Sequence, residues 1–348
     1  MDNPHNGTEH QPTECLIVWA LWAIYPAFIL SFGASVTNVL VVLVILRYPA
    51  LRRRKEYCLL AGLAGADCVE AVGSTLANIY RIPVFLTGSA CYQLPALLCM
   101  AVPFGWMWRW SDFGQTLMLL ALSCDRLFAI TKPLKYYSAK RSYALKVVGG
   151  VYAFSAVNMA IAWIRPFQLT LFEGKMVSAL CFSSSYLDPR YTAYAKYLSG
   201  AFSIGSVLVY GAVVLAYRKY IMTKVHDGAG TAATTERMKR TKVDEHKKWM
   251  KKQRQLTITL GVSSLCTLFM DSVPRILGMY WEFYPALRFH GVTYSVLIWN
   301  LTKANAMANF FIYSYNHAEI RHAVKAMMKG KNLPANLNNW PTTTQTGR

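Results

Sequence analysis

Residues 125–136 read Asp125-Arg126-Leu127-Phe128-Ala129-Ile130-Thr131-Lys132-Pro133-Leu134-Lys135-Tyr136. This string closes an apolar stretch that begins near residue 96, and it places an acidic–basic pair at the end of that stretch. A charged pair in this place is sometimes only the end of a membrane helix, whose long side chains reach the lipid headgroups. The full twelve-residue string is too specific for that interpretation alone. The string therefore indicates a membrane helix that belongs to a larger set of apolar segments.

Long apolar stretches recur along the 348-residue chain. The hydrocarbon core of a bilayer is about 30 Å thick, and a helix needs about 20 mostly apolar residues to cross it. Seven candidate spans have this length, roughly Leu16–Leu46, Tyr57–Phe85, Ala96–Ile130, Tyr143–Phe167, Tyr194–Ile221, Leu256–Tyr280 and Phe289–Tyr315. Only 16% of the residues are charged, against roughly 25% in a typical soluble protein. The sequence therefore predicts an all-α membrane protein with a bundle of seven transmembrane helices.

Lysine and arginine residues cluster after the first, third, fifth and seventh spans, and residues 1–15 contain none. Short loops rich in these residues stay in the cytoplasm when a membrane protein inserts. We therefore expect an extracellular N-terminus at residues 1–15, a seven-helix domain at residues 16–315 and a disordered cytoplasmic tail at residues 331–348. The sequon Asn6-Gly7-Thr8 predicts N-glycosylation of Asn6 on the outer side. The expected location is the plasma membrane.

The net charge of +20 by itself suggests nucleic acid as a partner. The basic residues, however, lie in short clusters between apolar stretches, where they face membrane lipid headgroups or an acidic cytoplasmic partner. The eight cysteines include no zinc-type Cys-x-x-Cys pair, and the seven histidines lie at segment ends or in loops. We therefore expect no nucleic acid, no metal site, no cofactor and no enzymatic activity.

Two polar side chains lie at a similar depth in neighbouring spans. Asn38 precedes Arg47 by nine residues, and Asp67 follows Tyr57 by ten. At 1.5 Å per residue, both lie roughly 14–15 Å from the inner end of their helices, near the middle of the bilayer. Polar groups at this depth usually face other helices or water, so the two side chains are expected to interact directly or through water. A protonated, buried Asp67 without a further role is the alternative.

Four motifs, in this order along the chain, carry a resemblance to a known family. They are Asn38-Val39-Leu40-Val41, Leu63-Ala64-Gly65-Ala66-Asp67, the string at residues 125–136 and Asn309-Phe310-Phe311-Ile312-Tyr313. The chain thereby resembles the rhodopsin-like (class A) G-protein-coupled receptors, and its overall character is similar to nematode serpentine chemoreceptors. Residues 316–321 resemble the start of the family's short amphipathic helix, which is expected here at residues 316–330. Leu127 and Phe310 depart from the tyrosine and the proline of the family's pattern.

The resemblance implies roles for residues in the inner half of the bundle. Arg126 would hold the inactive state through Asp125 and would face a heterotrimeric G protein once released. Tyr210 and Tyr313 would swing inward on activation.

The resemblance also implies a polar switch or sodium site, formed by Asp67 with Asn38 and Asn309. The sixth span departs from the family, because Ser272 replaces the tryptophan that usually precedes Pro274 by two residues. The trigger on the ligand side is therefore expected to be unusual.

On the outer side, the resemblance implies a disulfide between the third helix and the second extracellular loop. Cys181 is the loop cysteine, Cys99 stands at the family's interval from Arg126, and Cys91 is the alternative partner. Trp108, Asp112, Arg275 and Lys303 stand at positions that face the ligand pocket in relatives. Arg109 and Asp271 are predicted to line this pocket with them.

Charge in this pocket suggests a ligand class. Arg275 and Lys303 are expected to present positive charge to a small polar or anionic ligand, or to a peptide terminus. Arg109 precedes Asp112 by three residues, an interval at which helical side chains can pair. A purely structural ion pair is therefore the alternative for those two. The implied function is binding of an extracellular chemosensory small molecule or peptide, followed by activation of a G protein.

Lys303 leaves a photoreceptor open as an alternative function. It precedes Asn309 by six residues, the interval at which opsins carry their retinal-linked lysine, and a desolvated lysine can form a Schiff base. Phe104 stands at the matching counterion position. Three acidic residues are available instead: Glu70, Asp112 and Asp271. A transporter is the other alternative, although the inverted repeats or paired broken helices typical of transporters are not visible.

Overall fold

The computed structural model describes residues 17–89, 92–227, 258–259, 261–274, 277 and 291–330. Side chains are described within these ranges except at residues 17–23, 220–227 and 291–297. The predictions for Asn6, Cys91 and Arg275, and those for residues 1–15 and 331–348, lie outside the described residues.

Long helices form most of the described chain. We number seven of them from first to seventh: Ile17–Arg47, Lys55–Leu86, Pro103–Thr131, Arg141–Ala162, Pro189–Asp227, the segment at residues 261–274, and Gly291–Asn316. Shorter helices are Pro49–Arg52, Ala96–Ala101, Pro133–Ser138, Ile164–Leu171, Ser183–Tyr186 and Ala318–Met328.

Several of these helices are suited to cross a membrane. Among the described residues, five segments are long and apolar enough: Ile24–Arg47, Lys55–Leu86, Pro103–Thr131, Arg141–Leu171 and Pro189–Lys219. The seventh helix has 26 residues and is therefore about 39 Å long, more than the roughly 30 Å that a bilayer core requires. The predicted all-α membrane class is confirmed.

The third predicted span, Ala96–Ile130, is not one continuous helix. The structure divides it into Ala96–Ala101 and Pro103–Thr131. Pro103 has no backbone N–H, and its ring disfavours helical geometry at the preceding residue. Val102 is accordingly extended, with φ −61° and ψ 143°. The prediction of a single helix is wrong at this point.

The sixth helix contains a wide π-helical turn, Leu268–Ser272, which ends two residues before Pro274. Proline removes a backbone donor from the helix, and single π turns are often found at functional sites. Asp271 and Ser272 are both buried. The turn therefore brings polar side chains of the sixth helix into the interior of the bundle.

Within the described residues, the two largest apolar clusters lie toward opposite ends of the bundle, and a layer of buried polar side chains lies between them. One core includes Tyr57, Leu63, Leu122 and Tyr313; the other includes Phe104, Trp108, Phe113 and Tyr186. The polar layer contains Asp67, Glu70, Asp271, Lys303 and Asn309. Ionisable groups inside membrane helices are costly and usually functional. This polar layer is therefore a candidate functional site.

The short helix Ala318–Met328 packs against the first helix, and its Glu319 contacts the start of the second helix. Its apolar side chains Ile320, Ala323 and Val324 are buried, and the rest of its surface is largely exposed. Glu319 accepts hydrogen bonds from Arg54 Nη1 at 2.9 and 3.0 Å and from the hydroxyl of the nearby Tyr57. The amphipathic C-terminal helix is therefore present, and a charged contact secures it.

Candidate functional site

The third helix ends in a buried polar cluster, and we call this end of the bundle the arginine end. Arg126 donates to Asp125 Oδ2 through Nε at 3.1 Å and also through Nη2. Its Nη2 donates in addition to the hydroxyl of Tyr136 at 2.8 Å, and that hydroxyl lies 3.2 Å from Asp125 Oδ2. All three residues are only 1% exposed. The guanidinium is thus held by an acidic neighbour and by a tyrosine from the following segment.

Tyr136 completes this cluster, although its position in the sequence predicted no role for it. It lies in the short helix Pro133–Ser138, outside the long helices. Burial raises its pKa well above the ordinary value, so the phenol keeps its proton and can donate to Asp125. Its carbonyl accepts a hydrogen bond from Lys55, whose ammonium also lies 3.8 Å from the centre of the Tyr136 ring. The closing tyrosine of the string at residues 125–136 was the available signal.

The two tyrosines with implied switch roles lie close to this end. Tyr313 is fully buried in the apolar core that contains Leu122, and Tyr210 packs against the same core while partly exposed. A methyl group at Gly261 would overlap the Tyr210 ring. The fifth and sixth helices therefore touch here, at a position where only glycine leaves room for the ring.

Asp67 is the centre of a hydrogen-bond network in the middle of the bundle. Gln115 donates to its Oδ1 and Asn309 to its Oδ2, each at 3.0 Å. Ser263 in turn donates to Asn309 Oδ1 at 2.6 Å. Asn38 instead donates to the carbonyls of Ala34 and Ala306 at 2.9 and 3.1 Å. The structure therefore joins Asp67 and Asn309 directly, while Asn38 reaches the seventh helix through backbone.

A small cavity of about 20 Å³ adjoins this network. Its lining includes Asp67, Gln115, Asp271, Asn305 and Asn309. The volume is enough for roughly one water molecule. Asp271 accepts a hydrogen bond from Thr302 at 3.0 Å. Asp271 was predicted to line the ligand pocket, and the structure places it at this central cavity with Asp67.

Lys303 forms a buried ion pair with Glu70, between the seventh and second helices. Lys303 is 0% exposed and Glu70 7%. Ser111 of the third helix donates to Glu70 Oε2 at 2.6 Å. A ligand anion would therefore have to compete with Glu70 for the Lys303 ammonium. Lys303 was predicted to present a positive charge to the ligand, whereas in the structure Glu70 balances that charge.

The opposite end of the bundle is closed by a disulfide, and we call it the disulfide end. Cys99 and Cys181 are bonded, with their Cα atoms 5.2 Å apart. The predicted disulfide is confirmed with Cys99 as the partner. Beside it, the strands Gln93–Pro95 and Met176–Ser178 pair antiparallel, with Leu94 opposite Val177. Bridge and strands together fix the second loop across this end.

The remaining predicted pocket residues lie between the disulfide and the polar layer. Arg109 and Asp112 form an ion pair of 2.8 Å, with side chains 11% and 17% exposed. The sequence left a structural ion pair open as the alternative to a ligand site, and that ion pair is present. Trp108 is buried, donates to Ser74 Oγ at 3.0 Å and meets Trp299 edge to face. Trp108 thus faces the second helix, and the three residues lie on successive turns of the third helix.

Comparison with known proteins identifies the class to which this bundle belongs. The family model of seven-transmembrane receptors of the rhodopsin family matches residues 37–313. The chain belongs to this family, whose members are seven-helix receptors rather than enzymes. The predicted seven-helix bundle is therefore confirmed.

One relative gives a more particular comparison. The octopamine receptor beta-2R of Drosophila melanogaster is 28% identical over 177 residues, which is 49% of this chain and 29% of that receptor. The chain thus matches less than a third of the length of this relative.

Proposed function

We propose that this chain is a receptor that binds an extracellular ligand and activates a heterotrimeric G protein. The buried cluster of Asp125, Arg126 and Tyr136 is the observation that carries this proposal. Arginine stays charged at any physiological pH. A movement of the helices that opens the cluster would therefore present a fixed cation to a cytoplasmic partner.

In this proposal the arginine end faces the cytoplasm and the disulfide end faces outward, in the plasma membrane. Two observations support the orientation: basic residues cluster beside the arginine end, and disulfides form in oxidising compartments. Residues 1–15, with a glycan on Asn6, are the extracellular N-terminus, and residues 16–315 are the receptor domain. Residues 316–330 lie along the inner membrane surface, followed by a cytoplasmic tail at residues 331–348.

The ligand acts by binding one of two helix arrangements more tightly than the other. Contacts near Trp108 and the Arg109–Asp112 pair bias that equilibrium. The network around Asp67 and Asn309 transmits the bias toward Tyr210 and Tyr313. Carboxylate and amide oxygens at the central cavity are ligands suited to a small hard cation, which supports its use as a sodium site.

Octopamine is the first ligand to test, because a relative is named for it. A chemosensory small molecule or a peptide, as the likeness to nematode chemoreceptors predicts, is the wider class. Cells that express this receptor with a promiscuous G protein would be screened with octopamine and a panel of small polar compounds. We expect at least one to stimulate nucleotide exchange, and Arg126→Ala to abolish the response at equal surface expression. An undiminished response in Arg126→Ala would contradict the proposed coupling.

A retinal-binding photoreceptor is the second candidate, favoured by the Lys303–Glu70 pair. A Schiff base on a buried lysine is stabilised when a carboxylate lies beside its protonated nitrogen, and Glu70 is in that place. Protein expressed with retinal would show a visible absorption band that Lys303→Ala removes and Glu70→Gln shifts. Retinal that leaves the spectrum of the purified protein unchanged would exclude this candidate.

A further inference from the structure

Arg81 lies buried near the disulfide end of the second helix, and it has no role so far. It is 6% exposed. Its Nε donates to the carbonyl of Leu180 at 3.0 Å, and its Nη2 donates to the carbonyl of Cys181 at 3.1 Å. A guanidinium has five N–H groups. Three of them have no acceptor among the described residues of the protein.

Arg81 differs from the other buried cations in lacking a carboxylate partner. Among the described residues, three arginine or lysine residues are buried: Arg81, Arg126 and Lys303. Arg126 is paired with Asp125, and Lys303 with Glu70. On the helix of Arg81 itself, Glu70 lies eleven residues earlier, which is about 16 Å along the axis. The described part of the disulfide end thus holds one buried positive charge in excess.

Aromatic rings surround the Arg81 guanidinium. Its central carbon lies 4.8 Å from the ring centre of Phe182, 5.3 Å from that of Trp108 and 5.8 Å from that of Phe104. Trp108 and Phe104 are buried, whereas Phe182 is 44% exposed. Phe182 is therefore the exposed member of the three rings and covers the cation on one side.

The backbone beside Phe182 is held by several contacts. Cys181 has a φ of 50°, in the left-handed region that residues other than glycine rarely adopt. The disulfide, the two bonds from Arg81 and a bond from the Tyr80 hydroxyl to the Ala179 carbonyl at 2.8 Å secure this segment. The backbone is thus fixed around Arg81 while the Phe182 side chain remains at the surface.

We propose that Arg81 anchors a carboxylate or similar anionic group of the ligand, which enters by displacing Phe182 and lies against Trp108 and Phe104. The proposal rests on the proposed receptor function and specifies its ligand class. It also moves the anion site away from Lys303, whose charge Glu70 already balances. The flat walls favour an aromatic or other planar carboxylate, because its ring would stack where Phe182 now packs.

Benzoate and its neutral analogue benzamide are the probes. The purified full chain in lipid nanodiscs is titrated with each, and the thermal unfolding midpoint is followed, since a ligand of the folded state raises it saturably. We expect benzoate to raise the midpoint of the wild type and benzamide to leave it unchanged. Arg81→Gln should weaken benzoate binding at least tenfold, while Arg81→Lys, which keeps the charge, should bind with intermediate strength.

Two further variants make the test independent of the folding of Arg81→Gln. Phe182→Ala leaves Arg81 and its carbonyl bonds in place, and it should strengthen benzoate binding several-fold. Arg165→Gln is the matched control, because it removes a partly exposed cation that pairs with Glu173, close to the strand Met176–Ser178; binding should not change. Equal shifts with benzoate and benzamide, or weaker benzoate binding in Phe182→Ala, would overturn the proposal. Because no G protein is present, failure here is distinct from failure of the coupling proposal.

Discussion

A Glu70→Gln variant is expected to lose about 3–5 kcal/mol of unfolding free energy, because it leaves the fully buried Lys303 cation without its carboxylate. Lys303→Met should lose a similar amount, because it removes the cation that balances the buried Glu70 carboxylate. Denaturant unfolding of the purified protein in micelles measures the change.

The double variant Glu70→Met, Lys303→Met gives the sharper result. Replacing a buried ion pair by apolar side chains of similar volume is often neutral, so this protein should be within about 1–2 kcal/mol of the wild type. The two single losses would then fail to add, which is the sign of a direct interaction. Glu173→Gln is the control, since its pair with Arg165 is largely exposed and should contribute less than about 1 kcal/mol. Additive losses in the double variant would show that the pair is not the stabilising contact.

The sequence predicts the helices well, because the bilayer imposes a length and composition on each segment. Asp67 and Asn309, chosen for their motifs, lie in direct contact in the structure. Asn38 was expected to interact with Asp67 because both lie at a similar depth in the bilayer. In the structure its amide instead donates to the backbone carbonyl of Ala306. Depth along a helix follows from residue counting, whereas the direction in which a side chain points depends on how the helix is rotated in the bundle.

The unpredicted parts of the site share one physical reason, because they depend on contacts between distant segments. Glu70 and Lys303 are separated by 233 positions. The sequence offered Glu70, Asp112 and Asp271 as possible acids beside Lys303, and only the packing of the helices selects Glu70. Arg81 donates to backbone carbonyls, which every residue possesses, so no sequence pattern marks its partners. The break at Pro103 is different, because a proline inside a predicted helix is a readable signal.

Asp125→Asn is expected to raise ligand-independent nucleotide exchange about tenfold. The variant removes the charge that holds Arg126 in the buried cluster. A hydrogen bond between charged groups contributes about 1.5–3 kcal/mol, and each 1.4 kcal/mol changes the ratio of two states tenfold. The equilibrium therefore shifts toward the arrangement in which Arg126 is released. Exchange on a purified G protein, measured in membranes at matched receptor density without ligand, gives the readout.

A variant of the Tyr136 hydroxyl tests whether the hydrogen bonds of the cluster hold Arg126, or whether any change at the arginine end raises basal exchange. Tyr136→Phe removes the group that accepts from Arg126 and lies 3.2 Å from Asp125 Oδ2. That loss of about 1 kcal/mol should raise basal exchange roughly fivefold. Tyr137→Phe is the matched control, since the neighbouring ring is 56% exposed and its hydroxyl should not matter. Basal exchange that stays at the wild-type level in both Asp125→Asn and Tyr136→Phe would mean that the cluster stabilises the helix end without controlling the release of Arg126.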